Sequence, residues 1–300
     1  MPWGRMRFRA LARLDNQRHN PIEWGRYPQT GIEPDSLGED WWSNWPTWQV
    51  ISPGRSGTRW LADLLVATSN FGVVHATDPT LARVGFLVDQ GLLSRDSAWG
   101  AYLANRLELL SRCRKNQRPL VDLDCKTSPL TPELLHRNTN SHCLVLLRHP
   151  LEFVRSGMAR GYFRNKIPFD WGHLTDSDYS HKFDCNPNLT DVDQALLIAK
   201  FWGRVARIAQ QTHELCPDRV TVVRVAEMFE SPSYVADVLA GAGLNISRTA
   251  ILEFRDFGRP KNSNSTLAKP SIGIDWDIVE TVAVEALSRP FKTQLGLSAP

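Results

Sequence analysis

The run Trp48-Gln-Val-Ile-Ser-Pro-Gly-Arg-Ser-Gly-Thr-Arg-Trp60 narrows the choice of fold more than any other segment. Trp48 to Ser52 is apolar enough to read as a strand, and Pro53-Gly54 turns the chain. Leu61, Leu64, Leu65 and Thr68 then recur at helical spacing. Ser56, Gly57 and Thr58 fall where the first turn of that helix forms. Backbone N–H groups in a first turn have no partner inside the helix, and the helix dipole adds positive character there. Arg55 adds a full charge. Strand, turn and helix start together make a cradle for a phosphate-like anion. The plainer alternative is a turn that only caps its own helix.

The rest of the chain repeats the alternation. Strands are expected at Phe71–Ala76, Leu120–Lys126, 142–148 and 219–225. Helices are expected over 98–116, through Leu151, Val154 and Met158, over Asp191–Glu214, over Tyr234–Leu239, and as one piece over Trp276–Leu295. Such alternation predicts an α/β fold, a three-layer α/β/α sandwich around a central parallel sheet. Ligands of such sheets bind beyond the carboxyl ends of the strands. Arg55, His75, Lys126 and Arg148 all fall there.

Residues 1–46 read as an irregular arm, and 47–300 as a single domain. Within it, 162–190 has no clear period and is long for a loop, so it reads as a cap or acceptor-binding insertion. Trp41, Trp42, Trp45 and Trp48 are expected to fill a gap against the core, with the wall of an acceptor pocket as the alternative. Hydrophobic residues make up 42% and charged ones 22%, which argues against global disorder. A net charge of only +3 does not favour a nonspecific nucleic-acid binder. The five cysteines are odd in number and show no C-x-x-C spacing, which suits a reducing, cytoplasmic setting better than a disulfide framework. No zinc signature appears, and no apolar run approaches the roughly 20 residues of a membrane span. The basic N-terminus lacks the apolar core of a signal peptide.

A second segment carries a similar cradle. His142 to Leu147 reads as a buried strand ending in Arg148-His149-Pro150, with Pro150 just inside the next helix. Arg148 and Ser156, eight residues apart, are placed to reach one anion. The nucleotide-triphosphatase pattern G-x-x-x-x-G-K-[ST] is not met at the first loop, which lacks Lys at the helix start. Pro53–Trp60 instead resembles the 5′-phosphosulfate loop of the sulfotransferases that use 3′-phosphoadenosine 5′-phosphosulfate (PAPS), and Arg148 with Ser156 resembles their 3′-phosphate motif. The strand at 219–225 followed by Ala226-Glu227-Met228-Phe229 is similar to a late strand and Tyr-Glu-Asp-Leu tetrad of that family, with only the Glu matching.

The resemblance implies a P-loop-like fold and transfer of a sulfuryl group from PAPS to a hydroxyl or amine. PAP (3′-phosphoadenosine 5′-phosphate) is the product, and no metal is required. It implies that Arg55 meets the charge building on the leaving oxygen, that Ser56, Gly57 and Thr58 hold the 5′-phosphate, and that Arg59 is among the residues that bind the donor. Trp60 would pack on adenine, core packing being its alternative. Arg148 and Ser156 would hold the 3′-phosphate, with Arg259 or Lys261 closing over it unless that stretch is a solvated linker. Where the family carries Lys-Thr-His after the third strand, this chain has Lys126-Thr127-Ser128. Lys126 is then a sulfuryl-binding charge, and the base is sought elsewhere, at His75 or Asp78. The acceptor class, whether a small molecule, carbohydrate or lipid, is not readable. Two rivals remain. One is a P-loop phosphotransferase or kinase using Asp122 and Asp124 for magnesium; the other is a nucleotide-binding module without catalysis.

Overall fold

The computed structural model describes residues 40–75, 81–164, 186–258 and 273–297. Five strands form one sheet: β1 (Thr47–Ile51), β2 (Gly72–Val74), β3 (Leu120–Asp122), β4 (Ser141–Leu147) and β5 (Val220–Arg224). Their order is β2-β3-β1-β4-β5, and every pairing is parallel. β1 is buried along its whole length, as expected of a central strand covered on both faces.

Alternation along the strands sorts their side chains into two layers. Ile51, Cys143, Val145 and Leu147 face a core shared with α5 (Pro150–Met158), α6 (Asp191–Leu215), α10 (Trp276–Val284) and α11 (Arg289–Gln294). Val50, Leu144, Leu146 and Val223 face the opposite core, shared with α1 (Thr58–Thr68), α7 (Val225–Glu230), α8 (Pro232–Gly241) and α9 (Arg248–Gly258). The expected three-layer α/β/α sandwich is therefore present. Between β2 and β3 the chain makes α2 (Ala82–Asp89) and α3 (Arg95–Lys115); between β3 and β4 it makes a 3-10 turn (Cys125–Leu130) and α4 (Thr131–Arg137).

Two expected elements differ in extent. β3 stops at Asp122 rather than running to Lys126, because Asp124 caps the 3-10 turn by accepting from the Lys126 N–H at 3.2 Å. The single helix expected over Trp276–Leu295 is two helices. Ser288 caps the second through the Phe291 N–H, and Pro290 sits in its first turn, where a proline starts a helix rather than continuing one.

The tryptophans near the start of the domain pack as core. Asp40–Asn44 is a 3-10 helix that puts Trp41 and Trp45 against Val74, Leu109 and Leu120, and Trp42 against Trp99 with ring centroids 4.6 Å apart. Trp48 donates from its indole to the Ala242 carbonyl at 2.6 Å. Among the described residues, no helix is long and apolar enough to cross a membrane, no His/Cys/Asp/Glu group is placed to hold a metal, and Cys113, Cys125, Cys143 and Cys216 are free.

Candidate active site

The chain leaves β1 for the β3-β2 side of the sheet and later leaves β4 for β5 on the other side. The gap between the carboxyl ends of β1 and β4 is thus the switch point where α/β sheets open a ligand crevice. The two segments singled out in the sequence lie on either side of it.

The first segment is a loop with unusual backbone geometry. Gly54, Arg55 and Gly57 all have positive φ, at 77°, 57° and 87°. A left-handed conformation costs a non-glycine residue about 1–2 kcal/mol, so the strain at Arg55 marks a constrained loop. Gly57 is also required by space. A Cβ there would come within 2.5 Å of Met228 Cε and 2.7 Å of Phe229 Cζ, so α7 presses directly on the loop. No side chain caps α1, whose first N–H groups stay available to an anion.

The second segment begins at Arg148. Its backbone N–H donates to Ser56 Oγ at 3.3 Å, which joins the two segments across the crevice. Ser56 Oγ in turn donates to the Gly54 carbonyl at 3.1 Å, holding the loop folded on itself. The Trp202 indole donates to the Arg148 carbonyl at 2.8 Å, anchoring this corner to α6. No side chain caps α5 either; His149 is its cap residue and Pro150 its first residue. Ser156, two turns along, is buried. The Arg148 guanidinium is not idle, for its Nε meets Glu152 Oε2 at 2.6 Å.

Three guanidinium groups act on this crevice. The Arg55 pKa is lowered, first by burial and then by the charges of Arg160 and Arg148, with Tyr162 opposing. Arg55 keeps contact with solvent, yet enough protein surrounds its head group for burial to be the largest cause. Burial raises the pKa of the Tyr162 phenol, while Arg55 and Arg160 pull it back. Arg160 and Tyr162 follow the end of α5 and were not singled out in the sequence. Tyr162 is 5% exposed, its carbonyl accepts from Gln194 Nε2 at 2.7 Å, and a Cβ on Gly157 would strike its ring at 2.8 Å. Neither has a local sequence signal, since the chain after α5 turns back through Gly161 and Phe163, both at positive φ.

The other expected site residues fall as follows. His75 sits just beyond β2, and its Nε2 lies 3.2 Å from Thr58 Oγ1. Lys126 lies in the turn after β3. The Arg59 side chain pairs with Asp63 one helical turn on, at 3.0 Å. Trp60 is 8% exposed and meets Phe229 and Phe254 edge-on, so the structure places its ring in the core behind the loop. Asp78, Arg259 and Lys261 lie outside the described residues. The expected insertion is described only at its two ends, which are clasped together. The Arg164 guanidinium donates to the Leu189 carbonyl and to Asp191, and the Asn186 N–H donates to the Phe163 carbonyl.

The two carboxylates at the end of β3, the alternative magnesium ligands, are committed to Arg106. Asp122 and Asp124 are both essentially inaccessible. Asp122 takes Arg106 Nε at 2.8 Å and Asp124 takes its Nη2 at 3.1 Å. The Tyr102 hydroxyl and the Asp124 N–H also donate to Asp122. Burial pushes the Asp122 carboxyl up, with Arg106 opposing. The Arg106 guanidinium stays above its ordinary range, because the two carboxylates outweigh the cost of burying it.

No protein-family model and no curated protein matches the chain. Solved structures do. The sulfotransferase domain from the curacin biosynthetic pathway aligns over 86% of this chain and 99% of its own, with a TM-score of 0.46 and 14% identity. The sulfotransferase domain from the Synechococcus PCC 7002 olefin synthase aligns over 92% of this chain and 100% of its own, with a TM-score of 0.43 and 15% identity. The likeness is one of fold.

Proposed function

We propose that the chain is a PAPS-dependent sulfotransferase. The observation that carries the reading is the hydrogen bond from the Arg148 N–H to Ser56 Oγ. It brings a glycine-bent loop and an arginine-tipped strand, each leading into a helix without a side-chain cap, to the two sides of one crevice. The cradle fits a nucleotide with phosphates at two positions. The first N–H groups of α1 suit a 5′-phosphate, and Arg148 with Ser156 suits a 3′-phosphate, displacing the Glu152 carboxylate from Arg148.

PAPS supplies the sulfuryl group. The sulfur–oxygen bond to the 5′-phosphate breaks as a bond to the acceptor oxygen forms, and the acceptor proton passes to a base. The residues of this chain position and neutralise charge. With the donor bound, Arg55 would meet the bridging oxygen where negative charge grows, and Arg160 and Lys126 would add positive potential around the moving group. His75 stands as the base, its ring steadied by Thr58; Asp78 is the second candidate. The phosphotransferase reading is weaker on this chain, since both carboxylates at the end of β3 are held by Arg106.

Calorimetric titration with PAP, without magnesium and beside ADP and ATP, tests the reading. Binding that needs the 3′-phosphate and weakens at least tenfold in Arg148→Ala is the expected result, a loss of about 1.4 kcal/mol. A preference for magnesium-ATP, or no binding of PAP, would return the phosphotransferase reading to first place.

A further inference from the structure

Ser128 lies in the 3-10 turn after β3, and it has no part in the chemistry proposed above. It is nevertheless fully buried, and its hydroxyl is saturated with partners. Its Oγ accepts the Ser52 N–H at 3.1 Å and donates to the Cys125 carbonyl at 2.7 Å, with the carbonyls of Val50 and Ser52 at 3.4 and 3.3 Å. Ser52 is the first residue past β1 and is itself inaccessible. A buried N–H just beyond a strand has lost its place in the ladder and must find a partner elsewhere. Ser128 is that partner.

The connection continues in both directions. Toward the crevice, Ser52 Oγ accepts the Gly54 N–H at 3.1 Å, and Gly54 opens the left-handed turn that carries Arg55. Away from it, the Asp124 carbonyl accepts the Thr127 hydroxyl at 2.8 Å, and the Asp124 carboxylate is locked to Arg106 on α3. Hydrogen bonds joined through the backbone at Thr127–Ser128 and at Ser52 thus connect the buried Arg106–Asp124 pair to the phosphate loop, and Ser128 is the link between the ends of β3 and β1.

We infer that Ser128 is a positioning residue, whose hydroxyl sets the shape of the loop that receives the 5′-phosphate. The inference rests on the donor-site reading given above. It differs from a general packing role in one measurable way: it concerns the 5′ end of the nucleotide and leaves the 3′ end alone.

The experiment compares two ligands on the whole chain by calorimetry. PAP carries both phosphates, and adenosine 3′-monophosphate lacks the 5′ one. Ser128→Ala is expected to weaken PAP about tenfold while leaving adenosine 3′-monophosphate unchanged. Ser52→Ala removes the acceptor of the Gly54 N–H without touching Ser128, and the same split is expected of it. It serves if Ser128→Ala does not fold. Equal weakening of both ligands, or PAP affinity equal to the unmodified protein, would overturn the inference alone. An unmodified protein that binds neither nucleotide would overturn the donor-site reading first, and the inference with it.

Discussion

Arg55 combines two properties that pull against each other. Its backbone is left-handed at φ 57°, a conformation glycine adopts without penalty, yet the position carries the longest cationic side chain available. Strain kept at a site where charge is wanted points to a role in binding or chemistry rather than in folding. Two substitutions separate the contributions. Arg55→Ala is expected to lower turnover at least a hundredfold, the scale seen when one group that stabilises developing charge is lost, with an unchanged circular dichroism spectrum. Arg55→Gly is expected to be as inactive but to melt at a higher temperature, because it relieves the backbone. Turnover of Arg55→Ala near that of the unmodified protein would remove Arg55 from the mechanism. Residues of this kind were legible in the sequence because a motif of small residues surrounds them. Arg160, Tyr162 and Ser128 were not. Their places follow from the path of the chain after α5 and after β3, where no periodic pattern exists to read.

The elements show the same division. β1, β4 and β5 stand within a residue or so of where their apolar runs placed them; β1 and β4 lie inside the sheet and are buried nearly throughout, while β5 is a half-exposed edge strand that keeps its valines. β3 was overextended because Asp122 and Asp124 look like the tail of a strand. The side chain that turns them inward, Arg106, comes from the middle of α3, and its neighbours in sequence do not mark it as inaccessible. Removing that arginine tests the element directly. Arg106→Ala leaves Asp122 and Asp124 buried without their counter-charge and is expected to destabilise the fold by about 3–5 kcal/mol. Urea denaturation would show a lower midpoint with little change in slope. A midpoint within error of the unmodified protein would mean that the carboxylates find another partner or are neutral. The break between α10 and α11 was legible in principle, for Ser288 and Pro290 form a helix-start signal inside what reads as one continuous pattern.

At the scale of the whole molecule, a half-buried imidazole links stability to pH. His142 on β4 stacks on Trp48 of β1, with ring centroids 5.6 Å apart and planes 16° from parallel. Burial, and then the charge of Arg219, lower its pKa from the ordinary value of 6.5. Well above pH 6.5 the ring is neutral in folded and unfolded chains alike, and its contribution is constant. As the pH falls through 6.5 the unfolded chain binds the proton first, so stability drops; the drop levels off once the folded ring also titrates. Melting temperatures measured from pH 7.5 to 5 are expected to fall more steeply for the unmodified protein than for His142→Gln. Parallel curves would show that the ring does not titrate differently on folding.

The order of the sheet also governs how the chain is made. Of the five strands, β1 leaves the ribosome first, yet it lies at the centre and pairs with strands that begin at Leu120 and Ser141. Through that interval its apolar residues have no ladder to join, a state that invites chaperone binding and aggregation. The glycine-bent loop after β1 is not braced until Met228 and Phe229 have been synthesised. A nascent chain arrested before them would hold every residue of the loop and still lack its shape.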